Sequence, residues 1–339
     1  MGVIMADIVT SGNNRRSNWS QGWTRGKSAL QRQGALIALI VLIVFGSIRY
    51  TGFLTVYNIN SVLTYNTTFA LVALGMAFVI MSGGIDLSVG SVVALTSVVA
   101  AYASQYGLLS ALAAAVLTGT AIGLFNGWVI AWLKIPPFIA TLAMLLAARG
   151  LALFLAHDAT VTVNTTNDFT SIWSNTQFHI PIPLYFLVFA YAFGLIVLHL
   201  TRFGRHVLAV GGNEDAARLM GLPVERIKLM VYAMSGALAG IAGVLLAAQT
   251  YTGLPKEGLG WELTAVASVV VGGTLLSGGM GSVAATLVGS LLLGLIFTML
   301  NFENGHGFIT LSPYWQAVIR GVFLLIVVLL QTRLARQKK

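Results

Sequence analysis

Apolar residues in this chain fall into long, nearly unbroken runs separated by short polar segments. A run of about 20 mostly apolar residues is long enough to cross the hydrocarbon core of a bilayer as an α-helix. The pattern therefore predicts about ten successive helices of this kind. Their predicted ranges are 34–53, 59–82, 86–106, 108–133, 137–156, 183–200, 227–250, 262–276, 281–300 and 314–331.

The composition supports a membrane protein. Of 339 residues, 57% are hydrophobic and only 9% are charged, whereas soluble domains carry about 25% charged residues. The 37 glycines and 7 prolines also fit, because both residues are more frequent in membrane helices than in soluble ones. The predicted fold class is an all-α polytopic membrane protein. With no cysteine and five histidines that lack metal-binding spacing, neither a catalytic thiol nor a metal site is predicted.

The net charge of +9 is concentrated in the two ends and one internal loop, 201–228. Basic flanks of this kind mark the cytoplasmic side under the positive-inside rule, and they do not predict a nucleic-acid partner. Ten crossings place both termini and the loop on that side, while segment 157–182, which has no Lys or Arg, falls on the other. The basic residues are Arg15, Arg16, Arg25, Lys27 and Arg32; Arg202, Arg205, Arg218, Arg226 and Lys228; and Arg333, Arg336, Lys338 and Lys339.

Three parts are expected along the chain. Residues 1–33 are polar and basic without the layout of a cleaved secretory signal, so they are predicted to form a disordered cytoplasmic arm. Residues 34–332 form the membrane domain, and residues 333–339 a basic cytoplasmic tail. The sequence GWTRGKS at 22–28 resembles a phosphate-binding loop but is one residue short of GxxxxGK[ST]. No nucleotide site is therefore predicted on this chain, and ATP-driven work would need a partner subunit.

Two glycine-rich breaks in the apolar pattern repeat one another. The sequence SGG at 82–84 is followed by GSVVA at 90–94, and SGG at 277–279 is followed by GSVAA at 281–285. Gly-interrupted segments in matching positions of two halves point to a transport pathway built from broken helices. The alternative is that small residues let helices pack closely, and the two interpretations are compatible.

Asp86 follows the first break and is surrounded by apolar sequence. A carboxylate inside a membrane must face a partner, a cavity or the surface. Asp86 could cap the helix after the break, bind a ligand directly, or pair with an arginine in a membrane helix. Arg149 and Arg320 are the candidate arginines. The candidate pathway residues are Ser82, Gly83, Gly84, Asp86, Ser88, Asn126, Arg149, Glu262 and Arg320.

The internal basic loop contains a second candidate site. Asn213 is a favourable N-cap, acidic residues follow it, and Gly221 and Pro223 end the predicted helix after about two turns. A connection between two spans does not need such a folded element. The helix is therefore predicted to dock a cytoplasmic partner; the alternative is a helix that rests on lipid. The predicted contact residues are Gly212, Asn213, Glu214, Ala216, Ala217, Leu219, Met220 and Gly221.

Several ordered motifs resemble one transporter family. They are GMAFVIMSGGIDLSVGS at 75–91, KIPPFIATL at 134–142, RFGR at 202–205, GGNEDAA at 211–217 and GGTLLSGGMGS at 272–282. Together they resemble the ribose/galactose/autoinducer-2 branch of bacterial ABC importer permeases, across roughly residues 45–332. The C-terminal half, from Asn301-Phe302 to the LLQ sequence at 329–331, most resembles a galactofuranose-type permease.

The resemblance implies a multi-pass subunit of the bacterial inner membrane that moves a monosaccharide by alternating access. It implies a second permease subunit, identical or related, two cytoplasmic ABC ATPases that hold ATP and Mg, and a periplasmic sugar-binding protein. This chain would hold no cofactor and would not be an enzyme. In such a pathway Asn126, Trp128 and Trp261 could contact sugar, although anchoring at the membrane interface also explains the tryptophans.

Two other functional classes stay open from the residues alone. A self-sufficient secondary transporter could use Asp86 and Glu262 as proton or sodium sites. An intramembrane enzyme would need a catalytic set, but the histidines and carboxylates do not cluster in the sequence.

Overall fold

A computed structural model describes residues 34–305 and seven single positions after them: 312, 315, 318, 319, 321, 322 and 325. The expected arm 1–33, the tail 333–339, Arg320 and most of the predicted helix 314–331 lie outside the described residues.

The described part is helical with a few very short strands. The helices are α1 Gly34–Arg49, α2 Val56–Met81, α3 Val89–Ala103, α4 Leu108–Trp132, α5 Pro137–Leu155, α6 Ser171–Ser174, α7 Ile182–Leu200, α8 Arg202–Gly212, α9 Glu214–Leu219, α10 Val224–Thr250, α11 Trp261–Val271 and α12 Val283–Gly305. The strands are β1 Val161–Thr162, β2 Thr176–Gln177, β3 Ile180–Pro181 and β4 Thr252–Gly253. Strand β1 pairs antiparallel with β4, and β2 with β3.

Among the described residues, seven helices are long and apolar enough to cross a membrane: α2, α3 with the 3-10 turn that extends it to Tyr106, α4, α5, α7, α10 and α12. Helices α1 and α11 are apolar but shorter. The all-α polytopic class predicted from the sequence is confirmed. The number of ten crossings and the side on which the termini lie stay predictions.

The predicted helix 262–276 is wrong in its length, because α11 ends at Val271. Gly272 and Gly273 follow, and Gly273 has a φ of +86°, a left-handed conformation that stops a helix. The prediction for the internal loop 201–228 was incomplete as well. In addition to the short helix α9, it contains the 11-residue helix α8, whose Phe203, Val207 and Val210 fall on one apolar face.

Helices α2, α3 and α10 occupy the centre of the bundle, since 83%, 72% and 61% of their apolar windows are buried, against 22% for α4 and α5. This packing is possible because the backbones of neighbouring helices approach each other closely at glycines. A Cβ on Gly119 would overlap the carbonyl oxygen of Gly236, and one on Gly123 would overlap that of Tyr232. Small residues therefore let α4 and α10 pack backbone to backbone, as in other membrane helix pairs.

The bundle has two distinct ends. At one, called here the loop end, α8 and α9 lie between α7 and α10. At the other, the strand end, the β1–β4 pair joins segment 157–182 to the connection between α10 and α11. Hydrogen bonds from the Asn164 N–H to the Ser104 hydroxyl and from the Asn167 side chain to the Ser104 carbonyl tie the same segment to the 3-10 turn that follows α3.

Candidate functional site

The first glycine break separates α2 from α3 and contains Asp86, which is buried with 2% of its surface exposed. Its Oδ1 accepts hydrogen bonds from the Ser88 backbone N–H at 3.0 Å and the Ser88 hydroxyl at 2.6 Å. Its Oδ2 accepts one from the Ser235 hydroxyl of α10 at 3.0 Å. Ser88 is the N-cap residue of α3, so its N–H bond to Asp86 forms an Asx turn just before the helix. In the described structure Asp86 therefore does not cap the free N–H groups of α3, as one interpretation of the sequence expected.

Asn126 joins this polar cluster from α4. Its Nδ2 donates to the Ser88 hydroxyl at 3.1 Å, and both residues are buried, with 2% and 1% of their surfaces exposed. The chain of hydrogen bonds thus links α3, α4 and α10 around one carboxylate. Such a network stabilises a buried charge only when every member has a partner.

Arg149 does not pair with Asp86, so that interpretation of Asp86 is wrong for this arginine. Its guanidinium Nη1 donates to the carbonyl oxygens of Pro255 at 2.6 Å and Glu257 at 2.5 Å. Arg149 lies on α5, and the two carbonyls belong to the connection between α10 and α11. The other candidate partner, Arg320, lies outside the described residues.

Helix α11 begins deep within the bundle. The ring of Trp261, its first residue, packs 4.4 Å from the ring of Phe69, which lies near the middle of the 26-residue helix α2. At its other end, the loop after α11 reaches the end of α2, where the Gly279 N–H donates to the Met81 carbonyl at 3.0 Å. One crossing of the bundle therefore consists of a half-length helix and an irregular segment, 272–282.

The N-termini of α3 and α11 meet at this depth. A Cβ on Gly90, in the first turn of α3, would overlap the carbonyl oxygen of Gly258 and lie 2.8 Å from Glu262 Oε2. Glu262 is in the first turn of α11, where an acidic side chain is favoured by the helix dipole. In transporters with broken helices, half-helix N-termini near the membrane midplane form the solute site. This meeting point is the candidate pathway site.

Three pairs of glycines form a backbone junction at the loop end. They are Gly83-Gly84 after α2, Gly211-Gly212 at the end of α8 and Gly278-Gly279 after α11. A Cβ on Gly211 would overlap the Met81 carbonyl oxygen and lie 2.7 Å from the Gly279 nitrogen. A Cβ on Gly278 would lie 2.9 Å from the Gly83 Cα. The two breaks that repeat in sequence thus touch each other, and α8 touches both.

The short helix predicted after Asn213 is present as α9. The Asn213 side chain accepts a hydrogen bond from the Ala216 N–H at 2.9 Å, and Gly221 has a φ of +80° after the helix ends. Two ion pairs fasten α9 to the start of α10: Lys228–Glu214 at 2.6 Å and Arg218–Glu225 at 2.9 Å. A third pair, Arg218–Glu214 at 3.3 Å, lies within α9.

The surface of α9 differs from the predicted contact set at one position. Ala217 is fully buried, so it cannot form part of an exposed surface. Leu219 and Met220 are 90% and 69% exposed, and Asn213 and Ala216 are also exposed. A helix that packs on a bundle with one face must turn some residues inward, and only the bundle decides which.

Other predicted residues lie away from the candidate pathway site. Ser82 donates its hydroxyl to the Val79 carbonyl of its own helix at 2.7 Å. Trp128 is 46% exposed on the outer side of α4, 6.2 Å from the Phe125 ring, which fits an interface anchor. Trp261 is packed against Phe69 with 9% of its surface exposed, so its ring is a core contact in this structure.

The sequence did not single out several residues that complete these sites. Ser235 and Tyr232 on α10 contact the first break, where the Tyr232 hydroxyl lies 3.4 Å from the Ile85 carbonyl oxygen. Ser235 precedes Gly236 in a run of small residues, the one signal that marked this face of α10 for close packing. Pro255 and Glu257 act through backbone carbonyls, which no side-chain pattern can reveal.

Comparison with known proteins identifies the family. Residues 58–328 match the family described as "Branched-chain amino acid transport system / permease component". The chain is 38% identical over 312 residues to the ribose import permease protein RbsC of Escherichia coli K12, covering 91% of this chain and 95% of that protein. It is 34% identical to the L-arabinose transport system permease protein AraH of the same strain, with 96% of each chain covered.

A third relative, the xylose transport system permease protein XylH of Haemophilus influenzae, is 32% identical, with 88% of this chain and 95% of that protein covered. No solved structure matches the chain. The family match and these relatives confirm the resemblance to ABC importer permeases that the motifs indicated. The chain is a multi-pass membrane protein that belongs to this family of transport-system permease components.

Proposed function

We propose that this chain is the membrane-spanning subunit of an ATP-driven importer that moves a monosaccharide into the cytoplasm by alternating access. The sugar class is supported by the relatives, whose names refer to ribose, xylose and L-arabinose. The transporter also contains a second permease subunit, identical or related, two cytoplasmic ATPases and a periplasmic sugar-binding protein. ATP and Mg are held by the ATPases, and this chain holds no cofactor.

The proposed topology has ten crossings of the bacterial inner membrane, with both termini and the loop end in the cytoplasm. The basic residues of loop 201–228 lie at that end, which the positive-inside rule favours. Segment 157–182, without Lys or Arg, lies at the strand end. The β1–β4 pair brings this segment beside the connection between α10 and α11, so we propose that the two together receive sugar from the binding protein.

The observation that carries the coupling mechanism is the glycine junction. Gly211 packs directly on the backbone at Met81 and Gly279, so α8 cannot move without displacing one or both breaks. The ion pairs between α9 and α10 join the same loop to the helix that holds Ser235 and the Asp86 cluster. A displacement of α9 by an ATPase would therefore reach both broken helices.

The exposed surface of α9 suits a protein partner. Leu219 and Met220 are adjacent, large and exposed. A cavity of about 400 Å³ also lies at the same end of the bundle, where α4 ends and α10 begins, and is lined by Ala131, Trp132, Lys134, Pro223, Glu225 and Arg226. A helix resting on anionic lipid would favour basic residues, but α9 begins with Glu214 and Asp215.

The test substitutes Leu219 with Asp in the complete transporter. A charge at the centre of a docked apolar contact typically costs more than about 2 kcal/mol, so we expect sugar uptake and sugar-stimulated ATP hydrolysis to fall at least about tenfold. Leu219→Met preserves an apolar contact and should keep both activities near those of the unsubstituted protein. Normal uptake by a correctly inserted Leu219→Asp variant would show that α9 does not couple the ATPase.

No observation favours the ion-coupled alternative. Asp86 already accepts three hydrogen bonds, and no group of three or more His, Cys, Asp or Glu side chains suited to a metal ion occurs among the described residues. The purified chain alone, reconstituted in liposomes with a proton or sodium gradient, should not accumulate ribose, xylose, L-arabinose or galactofuranose. Uphill uptake in that experiment would overturn the proposal.

A further inference from the structure

The connection between α10 and α11 does not stay at the strand end. After β4, the Leu254 N–H donates to the Ser97 hydroxyl of α3 at 3.1 Å. Four residues later, Gly258 packs on the backbone of Gly90. Ser97 and Gly90 are seven residues apart, which is about 10 Å along a helix. The segment 254–260, called here the descending segment, therefore runs antiparallel to α3 into the bundle.

The position of Gly90 shows how deep the descending segment goes. Gly90 lies 13 residues before Ala103, the end of α3, so the segment reaches about 20 Å below the strand end. Its last residue, Gly260, is followed by Trp261, which packs against the middle of α2. The segment thus enters between α3 and α5 and ends where the N-termini of α3 and α11 meet.

An irregular segment at this depth must satisfy its own polar backbone groups, because a membrane interior offers no water to do so. Arg149 supplies the donors for two of its carbonyls, those of Pro255 and Glu257. One guanidinium nitrogen bridges both, which ties two points of the segment to α5. The arginine is half-buried, so these charge-assisted bonds are stronger than neutral ones.

The charge of Arg149 is not locked in an ion pair. Glu262 lies near enough to act on it electrostatically, but the ion pairs of the described residues do not include these two side chains. The buried Nε of Arg149 has no hydrogen-bond partner among the described residues. The descending segment is thus held by two carbonyl contacts, which can break without separating a buried pair of opposite charges.

We propose that Arg149 is a positioning residue that holds the descending segment between α3 and α5 and so closes the pathway toward the strand end. Release of the two carbonyls lets the segment withdraw and opens the meeting point of α3 and α11. The holding role depends only on the contacts above. The role in sugar passage rests on the proposed function.

The chain has no native cysteine, so a single introduced thiol reports on the segment without background. Pro255→Cys places the thiol at a buried position and keeps the carbonyl that Arg149 binds. The complete transporter in lipid nanodiscs is treated with a membrane-impermeant maleimide. Adding Arg149→Gln removes the charged donor, and we expect the labelling rate at position 255 to rise at least about tenfold.

A matched control removes another cation from the same segment. Lys256 pairs with Asp158 at 2.8 Å, but their side chains are 68% and 73% exposed, and exposed pairs contribute little. Lys256→Gln should therefore leave the labelling rate of Pro255→Cys unchanged within about twofold. Arg149→Lys keeps the charge but replaces the planar guanidinium with a compact ammonium group, so we expect a labelling rate between those of the parent and Arg149→Gln.

Labelling and transport separate the two parts of the proposal. If Arg149→Gln inserts and assembles normally but labels no faster than its parent, the holding role is wrong. If labelling rises and sugar uptake in an otherwise cysteine-free transporter stays normal, the closing role is wrong. Labelling needs neither sugar nor ATP, so a failure of the proposed transport function would leave the holding result intact.

Discussion

At the scale of single residues, Asp86 and Arg149 each have their own hydrogen-bond partners inside the bundle and do not pair with each other. Asp86 is satisfied by hydroxyls and one backbone N–H, and Arg149 by two backbone carbonyls. A pairing of Asp86 with Arg149 was one hypothesis from the sequence, because opposite charges inside a membrane often pair. The partners of both charges are neutral hydrogen-bonding groups, although Nε of Arg149 has none among the described residues, and each charge fixes a different irregular segment.

Substitution of Asp86 tests its role in holding the turn before α3 against α10. Asp86→Ala leaves the buried donors of Ser88 and Ser235 without their acceptor, and each lost partner costs about 1–3 kcal/mol. We expect a loss of about 2–4 kcal/mol in the free energy of unfolding, measured from the helical signal in detergent. Asp86→Asn keeps one acceptor oxygen and should cost less, and Ser82→Ala should change stability by no more than about 0.5 kcal/mol. Unchanged stability in Asp86→Ala with loss of sugar binding would instead make Asp86 a ligand.

At the scale of elements, two helices are broken and a third supports them. The breaks after α2 and around α11 bring the N-termini of α3 and α11 to the same depth, while α8 packs on both breaks at the loop end. The repeat of SGG in the sequence indicated that the breaks are related. It could not show that they touch, because the contact depends on Gly211, which lies in a different part of the chain.

Two neighbouring glycines test the junction. A Cβ on Gly211 would overlap the Met81 carbonyl, whereas a Cβ on Gly212 would meet only the Gly279 Cα at 4.0 Å. Both residues lie in α8, where alanine is a better helix former than glycine. Overpacking costs about 1–3 kcal/mol, so Gly211→Ala should reduce sugar uptake by the complete transporter about tenfold or more. Gly212→Ala should transport normally, and equal activities would argue against the junction.

At the scale of the whole molecule, the two ends serve different partners in the proposed transporter. The loop end presents exposed apolar residues of α9, and ion pairs hold α9 against the start of α10. The strand end presents a small surface built by β1, β4 and segment 157–182. Between them, the central helices α2, α3 and α10 are largely buried, and a close-packed interior transmits strain from one end to the other.

Single introduced thiols can show which side of the membrane each end of the bundle faces. Asn175→Cys lies at the strand end and Asp215→Cys on α9, and both positions are exposed. In intact cells, an impermeant maleimide should label the first and not the second, because the basic loop is predicted to be cytoplasmic. In inverted vesicles the pattern should reverse. Labelling of both positions from one side would contradict the proposed topology.

The sequence by itself determined the membrane class, the approximate positions of the long described helices and the caps of α9, because these depend on local hydropathy and on neighbouring residues. It also marked Asp86, Arg149 and Glu262, since a charge in an apolar run is visible without a structure. It did not show the early end of α11, the helix α8 or the inward face of Ala217. Only the tertiary structure decided that Gly211 joins the two breaks and that Arg149 binds the descending segment, because these contacts use backbone atoms far apart in the chain.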